Sequence, residues 1–323
     1  MANPERLNAT RVTVRAPARL HLGFLDLNGG LGRRFGSIGL ALDGLGTGLT
    51  VQSAPQMRVE GPDAERAQGH IATMQRTLAL DGSYRATIET VVPPHAGLGS
   101  GTQMALAVAA ALRRLHGLPL DPIGDALRLG RGQRSGIGIA AFHVGGLVVD
   151  GGRGAATQAP PLISRIAFPE DWRAIVLLDP ARQGVHGASE TAAFAQLTEF
   201  PAREAAHLCR LVLMQALPAA AESDLATFGV AIRELQAAIG DYFAPAQGAR
   251  FTSPEVGAVL AHLDAQGAHG IGQSSWGPTG FAFAASPQEA ERLAALARAH
   301  HSGRALDIRV CAALNRGAEI TAE

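Results

Sequence analysis

The sequence predicts an α+β fold in two domains, and three observations support this prediction. Residues 1–150 are rich in strand patterns, in which apolar residues alternate between glycines and prolines. A stretch rich in glycine and proline follows at 151–168. The second half combines helical patterns with a few short strands. We therefore divide the chain into a first domain of residues 1–165 and a second of residues 166–323.

The first domain alternates between strands and helices along the chain. Apolar residues at helical spacing predict helices over 64–80 and 102–115. Asp121 and Pro122 are typical of an N-cap and a first helical residue, so they open a further helix that ends near Gly130. The predicted strands cover residues 11–23, 37–42, 48–52, 57–61, 86–94 and 139–152.

The second domain contains more helix than the first. Its helices are predicted over 189–197, 202–217 and 222–239, and Ser253 opens another. Ser286 and Glu289 form a capping box for a last helix that runs to residue 301. Strands are predicted at 174–180, after the glycine-rich turn within 270–286, and at 305–314.

Composition excludes several classes of function. The 323 residues include 28 basic and 28 acidic side chains, so no global field attracts nucleic acid or an anionic membrane. No apolar run reaches the roughly 18 residues of a membrane span, and the N-terminus lacks a signal-peptide pattern. Cys209 and Cys311 are too few for a disulfide framework, and we expect two buried thiols in the cytoplasm.

All 28 basic residues are arginine, since the chain contains no lysine. This excludes a Walker-A lysine, Schiff-base chemistry and attachment of pyridoxal phosphate. The guanidinium group is then the only strong cation available for phosphates or carboxylates. A GC-rich genome also produces such a composition, but the chemical exclusions hold in either case.

A glycine-rich segment at 97–101 lies between a predicted strand and a predicted helix. Three glycines in five residues permit positive φ and a close approach of the backbone to a ligand. Exposed amides and the helix dipole then favour an anion, and Ser100, Thr102 and Gln103 add donors. An ordinary strand–helix turn with a serine cap remains the alternative.

Several arginines accompany glycines in this neutral protein. Arg19 and His21 lie two residues apart on one strand and so share a face. Arg33 lies in one glycine-containing turn, and Arg131 and Arg134 lie in another. A solvated surface explains any single arginine, whereas three such segments together favour a polyanionic ligand.

Two polar segments stand out in the second domain. His186 is a candidate base or phosphate donor, or a loop histidine without a role. Glu190 suits a helix cap first and a metal ligand second. Ser274 and Ser275 precede Trp276, which serves either as a platform for a ligand or as a wedge between the domains.

Ordered motifs over nearly the whole chain resemble one family. The segment at 94–102, with Gly-Leu-Gly-Ser-Gly-Thr, resembles the phosphate loop of the GHMP superfamily, which includes homoserine kinase, galactokinase and mevalonate kinase. Residues 18–29, 130–152, 186–190 and 274–279 resemble the beta-ribofuranosylaminobenzene 5'-phosphate synthase family more narrowly. The resemblance implies an N-terminal domain like ribosomal protein S5 domain 2 and a ferredoxin-like C-terminal domain.

The resemblance also implies an activity. Such a synthase joins phosphoribosyl pyrophosphate to 4-aminobenzoate or 4-hydroxybenzoate, releases carbon dioxide and pyrophosphate, and serves tetrahydromethanopterin biosynthesis. It implies a cytoplasmic homodimer that uses Mg²⁺ and no organic cofactor, with no nucleic-acid or membrane partner. Which of the two benzoates is used stays open at this point.

The site residues follow from the same resemblance together with the patterns above. Catalytic roles fall to Arg19, His21, His186 and Glu190, and metal binding to Asp26 and Glu190. Phosphate binding falls to Gly97, Leu98, Gly99, Ser100, Gly101, Thr102, Gln103, Arg33, Arg131 and Arg134. Aryl binding falls to Phe24, Ser274, Ser275 and Trp276.

One departure from the superfamily's kinases favours the synthase. In many of those kinases a Ser-Gly-x-Asp segment carries the aspartate that activates the attacking hydroxyl, whereas this chain has Gly138 there. A second serine of the kinase loop is replaced by Gly101. A small-molecule kinase of the superfamily and a non-catalytic dimeric binding protein remain the alternatives.

Overall fold

A computed structural model describes residues 9–184, 197–300 and 306–323. Two long antiparallel strands, β1 (Arg11–Asp26) and β2 (Arg33–Ala54), form the centre of the first domain. Their pairing shifts register at two points, between Pro17 and Ala18 and between His21 and Gly23. Such irregularities bend and re-aim a strand, and here they lie beside the predicted site residues of β1.

The first sheet is completed by strands from distant parts of the chain. The strands β3 (Arg58–Glu60) and β4 (Ser83–Thr90) extend it on the β2 side. Another branch is formed by β5 (Leu147–Asp150) and β7 (Leu162–Ile166), and β6 (Arg153–Gly154) pairs with the start of β2. The last strand, β12 (Glu319–Ala322), pairs with β1.

Helices cover one face of this sheet. The helices α1 (Ala64–Leu78) and α2 (Ser100–Leu115) pack on the first half of β1 and the second half of β2. The short helix α3 (Pro122–Arg128) begins as predicted, because the Asp121 carboxylate accepts the Gly124 N–H at 2.9 Å. A buried ion pair between Arg113 and Asp125 joins α2 to α3.

One first-domain prediction is wrong. Residues 139–143, predicted as strand, belong to helix α4 (Ile137–His143), and only β5 is extended. Five of the seven α4 residues are buried. A helix buried on most sides lacks the one-sided apolar period by which amphipathic helices are recognised.

The second domain has a four-stranded antiparallel sheet. Its strands are β8 (Arg173–Leu178), β9 (His269–Gln273), β10 (Gly280–Ala284) and β11 (Asp307–Ala312). Their spatial order is β11-β8-β10-β9. With one helical connection after β8 and another after β10, this is the split β-α-β arrangement of ferredoxin-like folds, as expected.

Helices lie on both faces of the second sheet. The first helix among its described residues, α5 (Ala202–Leu211), passes through a π-helical turn (Val212–Ala216) into α6 (Leu217–Ala221), where Pro218 removes a backbone donor. Next, α7 (Leu225–Gln247) packs between β1 and β9. The helices α8 (Pro254–Ala265) and α9 (Pro287–Ala299) cover the opposite face, with serine caps at Ser253 and Ser286 as predicted.

One strand of the predicted second domain lies in the first sheet. The predicted second domain, 166–323, contains β12, yet β12 pairs with β1 in the first sheet, for example Val14 with Ile320. In the ranges that the structure describes, no helix has both the length and the apolar character needed to cross a membrane.

Candidate active site

The glycine-rich loop connects the segment after β4 to the N-terminus of α2. Gly97 and Gly99 have φ of +82° and +87°, in the left-handed region that glycine adopts most readily. Gly99 is the N-cap of α2, and its carbonyl accepts the N–H groups of Thr102 and Gln103. Ser100 is therefore the first helical residue and not the N-cap.

A cleft of about 450 Å³ opens above this loop, between the two domains. A ligand site of this size accommodates a small organic molecule. Its charged side chains are Arg19, Arg66 and Arg131, and no described residue that lines it carries a carboxylate. The other lining residues are His95, Gly97, Gly99, Ser100, Gly101, Thr102, Gly184, Ser275, Trp276 and Gly277. The cleft is thus suited to a polyanion.

Arg19 lies directly under the glycine loop. Its backbone N–H donates to the Leu98 carbonyl at 3.1 Å, and its guanidinium donates to the Gly97 carbonyl. A Cβ added to Gly99 would lie 3.2 Å from Cγ of Arg19 and 3.5 Å from its Cζ. The loop and this arginine therefore pack as one unit, in which Gly99 leaves the room that the Arg19 side chain occupies.

Arg131 lies on the other side of the loop. One guanidinium nitrogen would be 3.0 Å from a Cβ added to Gly101. Burial, together with the nearby charge of Arg66, lowers the pKa of Arg131. Its Nε is buried and has no hydrogen-bond partner in the protein. A guanidinium held in this way is stabilised by an anion in the cleft.

The turn that carries Arg131 is fixed by a buried carboxylate. Asp150 at the end of β5 accepts the Gly136 N–H at 2.8 Å and the Gly152 N–H at 2.9 Å. Ser135 also donates to this carboxylate, at 3.2 Å. Burial raises the pKa of Asp150, against the opposing effect of these hydrogen bonds. Asp150 therefore holds the chain between α3 and α4 in place.

The second-domain wall of the cleft is formed by residues 274–277. The Ser274 hydroxyl donates to the Gly97 carbonyl at 2.7 Å and accepts a hydrogen bond from the backbone N–H of His21 at 2.9 Å. A Cβ on Gly97 would overlap the Ser274 carbonyl, and one on Gly277 would overlap the Ala96 carbonyl. The two loops therefore meet backbone to backbone, and glycine is required at both contact positions.

His21 lies behind this wall. Its side chain is buried, and burial together with the charge of Arg19 lowers its pKa to about 3, so that the imidazole is neutral. Its Nε2 is buried without a hydrogen-bond partner. The ring contacts Phe24 at a centroid distance of 4.6 Å, in a cavity of about 20 Å³ that Ser275 also lines. That volume holds about one water molecule.

Trp276 borders the cleft and packs against the second domain. It lines the cleft, although only 2% of its surface is exposed. Its ring packs on Phe243 of α7 at 4.4 Å between centroids. Of the four predicted aryl-binding residues, Ser275 and Trp276 border the cleft, and Phe24 borders the small cavity. Ser274 is fully buried and links the two loops by its hydrogen bond to Gly97.

The structure does not bring all the predicted phosphate-binding residues together. Six of them line the cleft, namely Gly97, Gly99, Ser100, Gly101, Thr102 and Arg131, together with Arg19, which was predicted as catalytic. Leu98 and Gln103 are fully buried beneath it, and Gln103 donates to the Gly138 carbonyl at 2.9 Å. Arg33 donates to the carbonyls of Gly151 and Gly152, and neither it nor Arg134 lines the cleft.

The predicted metal ligands do not form a site in the part of the chain that the structure describes. Asp26 accepts the N–H groups of Asn28 and Gly29 and so stabilises a turn. The described residues contain no group of three acidic, histidine or cysteine side chains that fits a metal ion. Glu190 and His186 lie outside the described residues. The described residues therefore supply no three-ligand protein site for a metal ion.

The sequence analysis missed Arg66 and His95 as lining residues. His95 directly precedes the glycine loop, so its position in the chain was a usable signal. Arg66 lies on α1, pairs with Asp63 at 3.0 Å, and has the pattern of any solvated helical arginine. Only the packing of α1 beside α2 brings it to the cleft.

Comparison with known proteins first defines the class. Residues 66–146 match the GHMP kinases N terminal domain, and residues 216–302 match the GHMP kinases C terminal domain. The fold is similar to that of homoserine kinase from Cytophaga hutchinsonii, with a TM-score of 0.67, 15% identity and 99% of each chain covered. It is also similar to mevalonate diphosphate decarboxylase from Staphylococcus aureus, with a TM-score of 0.66, 15% identity, and coverage of 97% of this chain and 98% of that one. The chain has the two-domain GHMP fold, as expected.

The particular family follows from closer relatives. Beta-ribofuranosylphenol 5'-phosphate synthase from Methanothermobacter thermautotrophicus is 32% identical over 82% of this chain and 86% of that protein. The protein of the same name from Archaeoglobus fulgidus is 33% identical over 95% of this chain and 98% of that protein. This chain belongs to the beta-ribofuranosylphenol 5'-phosphate synthase family, which confirms the resemblance seen in the sequence.

Proposed function

We propose that the protein is a phosphoribosyltransferase that joins phosphoribosyl pyrophosphate to 4-hydroxybenzoate and releases carbon dioxide and pyrophosphate. The observation that carries the proposal is the cleft, in which helix amides and three arginines converge and no described lining residue has a carboxylate. The name of the relatives specifies a ribofuranosylphenol product. A phenol product supports the hydroxyl-bearing benzoate over 4-aminobenzoate.

The first chemical requirement is a stable leaving group. The bond between C1 of the ribose and the pyrophosphate oxygen breaks, and its electron pair leaves with pyrophosphate. The loop amides at Ser100 and Gly101, with Arg19, are suited to stabilise the growing negative charge. Because they are held in place before the reaction, they need little reorganisation when that charge develops.

The second requirement is an electron-rich ring carbon. The ring carbon that bears the carboxylate forms the new bond to C1, with electron density supplied by the para oxygen. Loss of carbon dioxide then returns the electron pair of the broken carbon–carbon bond to the ring. The neutral His21 Nε2 is suited to accept the hydrogen bond of the para hydroxyl, provided that Ser275 and Phe24 move to admit the ring.

The kinase alternative has less support. Gly138 faces the phosphate loop, because a Cβ there would lie 3.1 Å from Cγ2 of Thr102. A side chain at this position would therefore point at the loop, but glycine offers no base. The likeness to homoserine kinase, at 15% identity, concerns the fold alone.

A turnover experiment tests the proposal. Protein is incubated with phosphoribosyl pyrophosphate and 4-hydroxybenzoate labelled in its carboxyl group, and released carbon dioxide and pyrophosphate are counted. We expect equal amounts of both, and a slower reaction with 4-aminobenzoate. Pyrophosphate release without carbon dioxide, or no turnover with either benzoate, contradicts the proposal.

Finer features of the family resemblance are proposals as well. We propose a cytoplasmic homodimer, which size-exclusion chromatography with light scattering tests. A requirement for Mg²⁺ is tested by turnover in EDTA followed by readdition of the metal. The balance of 28 basic and 28 acidic residues supports the absence of a nucleic-acid partner.

A further inference from the structure

We propose that Arg66 and Arg131 form a separate binding site for the 5'-phosphate of the ribosyl donor, at the end of the cleft away from the acceptor. The proposal rests on the proposed function, because it assigns the two phosphate-bearing ends of phosphoribosyl pyrophosphate to two parts of one cleft. Arg66 has no role in the sequence analysis.

The contacts along the cleft give its parts an order. Residues 274–277 abut Gly97, Arg19 lies at Gly99, and Arg131 lies at Gly101. The loop therefore runs from the aromatic wall, past Arg19, to Arg131. Arg66, on α1, lines the same cleft, and its charge acts on Arg131.

The chemistry of phosphoribosyl pyrophosphate determines how this molecule is oriented in the cleft. The acceptor ring must reach C1, which carries the pyrophosphate, and the predicted aryl-binding residues Ser275 and Trp276 are at the Gly97 end. C5 with its phosphate lies across the furanose ring from C1. The 5'-phosphate therefore falls at the other end, beside Arg131 and Arg66.

The electrostatics of that end favour an anion. Arg66 and Arg131 repel each other, and among the described residues the Asp63 carboxylate, 3.0 Å from Arg66, is the one ion-pair partner of either arginine. His70, one turn after Arg66, is buried, and its Nε2 has no hydrogen-bond partner. Burial and these two arginines lower the pKa of His70 to about 4, so it adds no third positive charge near neutral pH. A phosphate dianion between the two guanidiniums relieves this repulsion.

Separate binding of the two halves of the donor tests the proposal. The dissociation constants of ribose 5-phosphate and of inorganic pyrophosphate are measured by calorimetry for the wild type, Arg66→Gln and Ser100→Ala. We expect Arg66→Gln to weaken ribose 5-phosphate by at least about tenfold and to change pyrophosphate by less than about twofold. Ser100→Ala is expected to show the reverse pattern.

The control is Arg76→Gln, on an exposed position of the same helix and outside the cleft. It is expected to leave both affinities unchanged, which separates a local phosphate contact from loss of surface charge. If Arg66→Gln weakens pyrophosphate instead, the direction of the donor is reversed and the proposal is wrong. If it weakens neither ligand, Arg66 does not bind the donor.

A separate measurement distinguishes this result from failure of the proposed function. Turnover of the wild type with phosphoribosyl pyrophosphate and 4-hydroxybenzoate tests the reaction itself. If turnover occurs and Arg66→Gln leaves ribose 5-phosphate binding intact, only the subsite is refuted. If the wild type binds ribose 5-phosphate through Arg66 but shows no turnover, the subsite stands and the reaction is refuted.

Discussion

Replacement of the buried His21 changes how stability depends on pH. The pKa of this histidine falls from 6.5 to about 3 on folding, mainly through burial. The unfolded chain therefore binds a proton below pH 6.5 that the folded chain does not. Stability contributed by the neutral ring is complete above pH 6.5 and is lost as the pH falls toward 3.

The size of the effect follows from proton linkage. A pH of 5 is 1.5 units below the unfolded-state pKa of 6.5. Protonation of His21 in the unfolded chain therefore lowers the free energy of unfolding by about 2 kcal/mol relative to pH 8. His70, with a pKa lowered to about 4, adds a similar loss of about 2 kcal/mol over the same interval. Asp150, whose pKa is raised by burial, acts in the opposite direction at low pH.

A difference between variants isolates His21 from the other groups. Urea unfolding is followed by the fluorescence of Trp172 and Trp276, both buried, at pH 8 and pH 5. We expect the fall in unfolding free energy between the two pH values to be about 2 kcal/mol smaller in His21→Asn than in the wild type. Ser274→Ala is the matched control, because it removes a neighbour of His21 that does not titrate.

The outcome that refutes this reasoning is specific. If His21→Asn and the wild type lose the same free energy between pH 8 and pH 5, then His21 is not a buried neutral ring in the folded state. The proposed acceptor for the para hydroxyl would then be lost as well. If Ser274→Ala reproduces the effect of His21→Asn, the effect arises from altered packing.

The phosphate loop and its surroundings give four further predictions. Ser100→Ala should weaken phosphoribosyl pyrophosphate by about 1–3 kcal/mol in calorimetry, through loss of one charge-assisted hydrogen bond. Gly99→Val should weaken it more, because φ there is +87° and a Cβ would lie 3.2 Å from Arg19; normal turnover by a folded variant excludes the loop as the phosphate site. Arg19→Ala and Arg19→Lys should each lower kcat/KM at least about tenfold, or roughly 1.4 kcal/mol, since lysine lacks the guanidinium fork; activity within about twofold of the wild type contradicts this. Because Gly138 offers no base, ADP formation that depends on homoserine, galactose or mevalonate should not be detected, and its detection would favour a kinase.

The local features of the fold were predictable from the sequence. The glycine loop, the caps at Asp121, Ser253 and Ser286, and the long alternating strand β1 all depend on residues close together in the chain. The split between a strand-rich half and a helix-rich half also follows from local patterns. The pairing of β12 with β1 joins residues about three hundred positions apart, and no local pattern indicates it.

The candidate site was predictable where motif and backbone coincide. Glycine spacing indicated the loop, and strand periodicity placed Arg19 and His21 together near it. The sequence pattern did not distinguish Arg33 from an arginine of the cleft. In the structure Arg33 donates to the carbonyls of Gly151 and Gly152. Arg66 was missed because helical arginines are common on surfaces, and only the packing of α1 beside α2 decides where its side chain lies.

The pairing of β12 with β1 sets the order in which a nascent chain completes its structure. The edge of the first sheet stays open until residues 319–322 leave the ribosome, because they supply the strand that covers it. Val12 and Val14, which are fully buried in the folded protein, lie on β1, the strand that pairs with β12. Synthesis of the whole second domain therefore precedes closure of the first, and an exposed strand edge during that interval invites pairing with another chain.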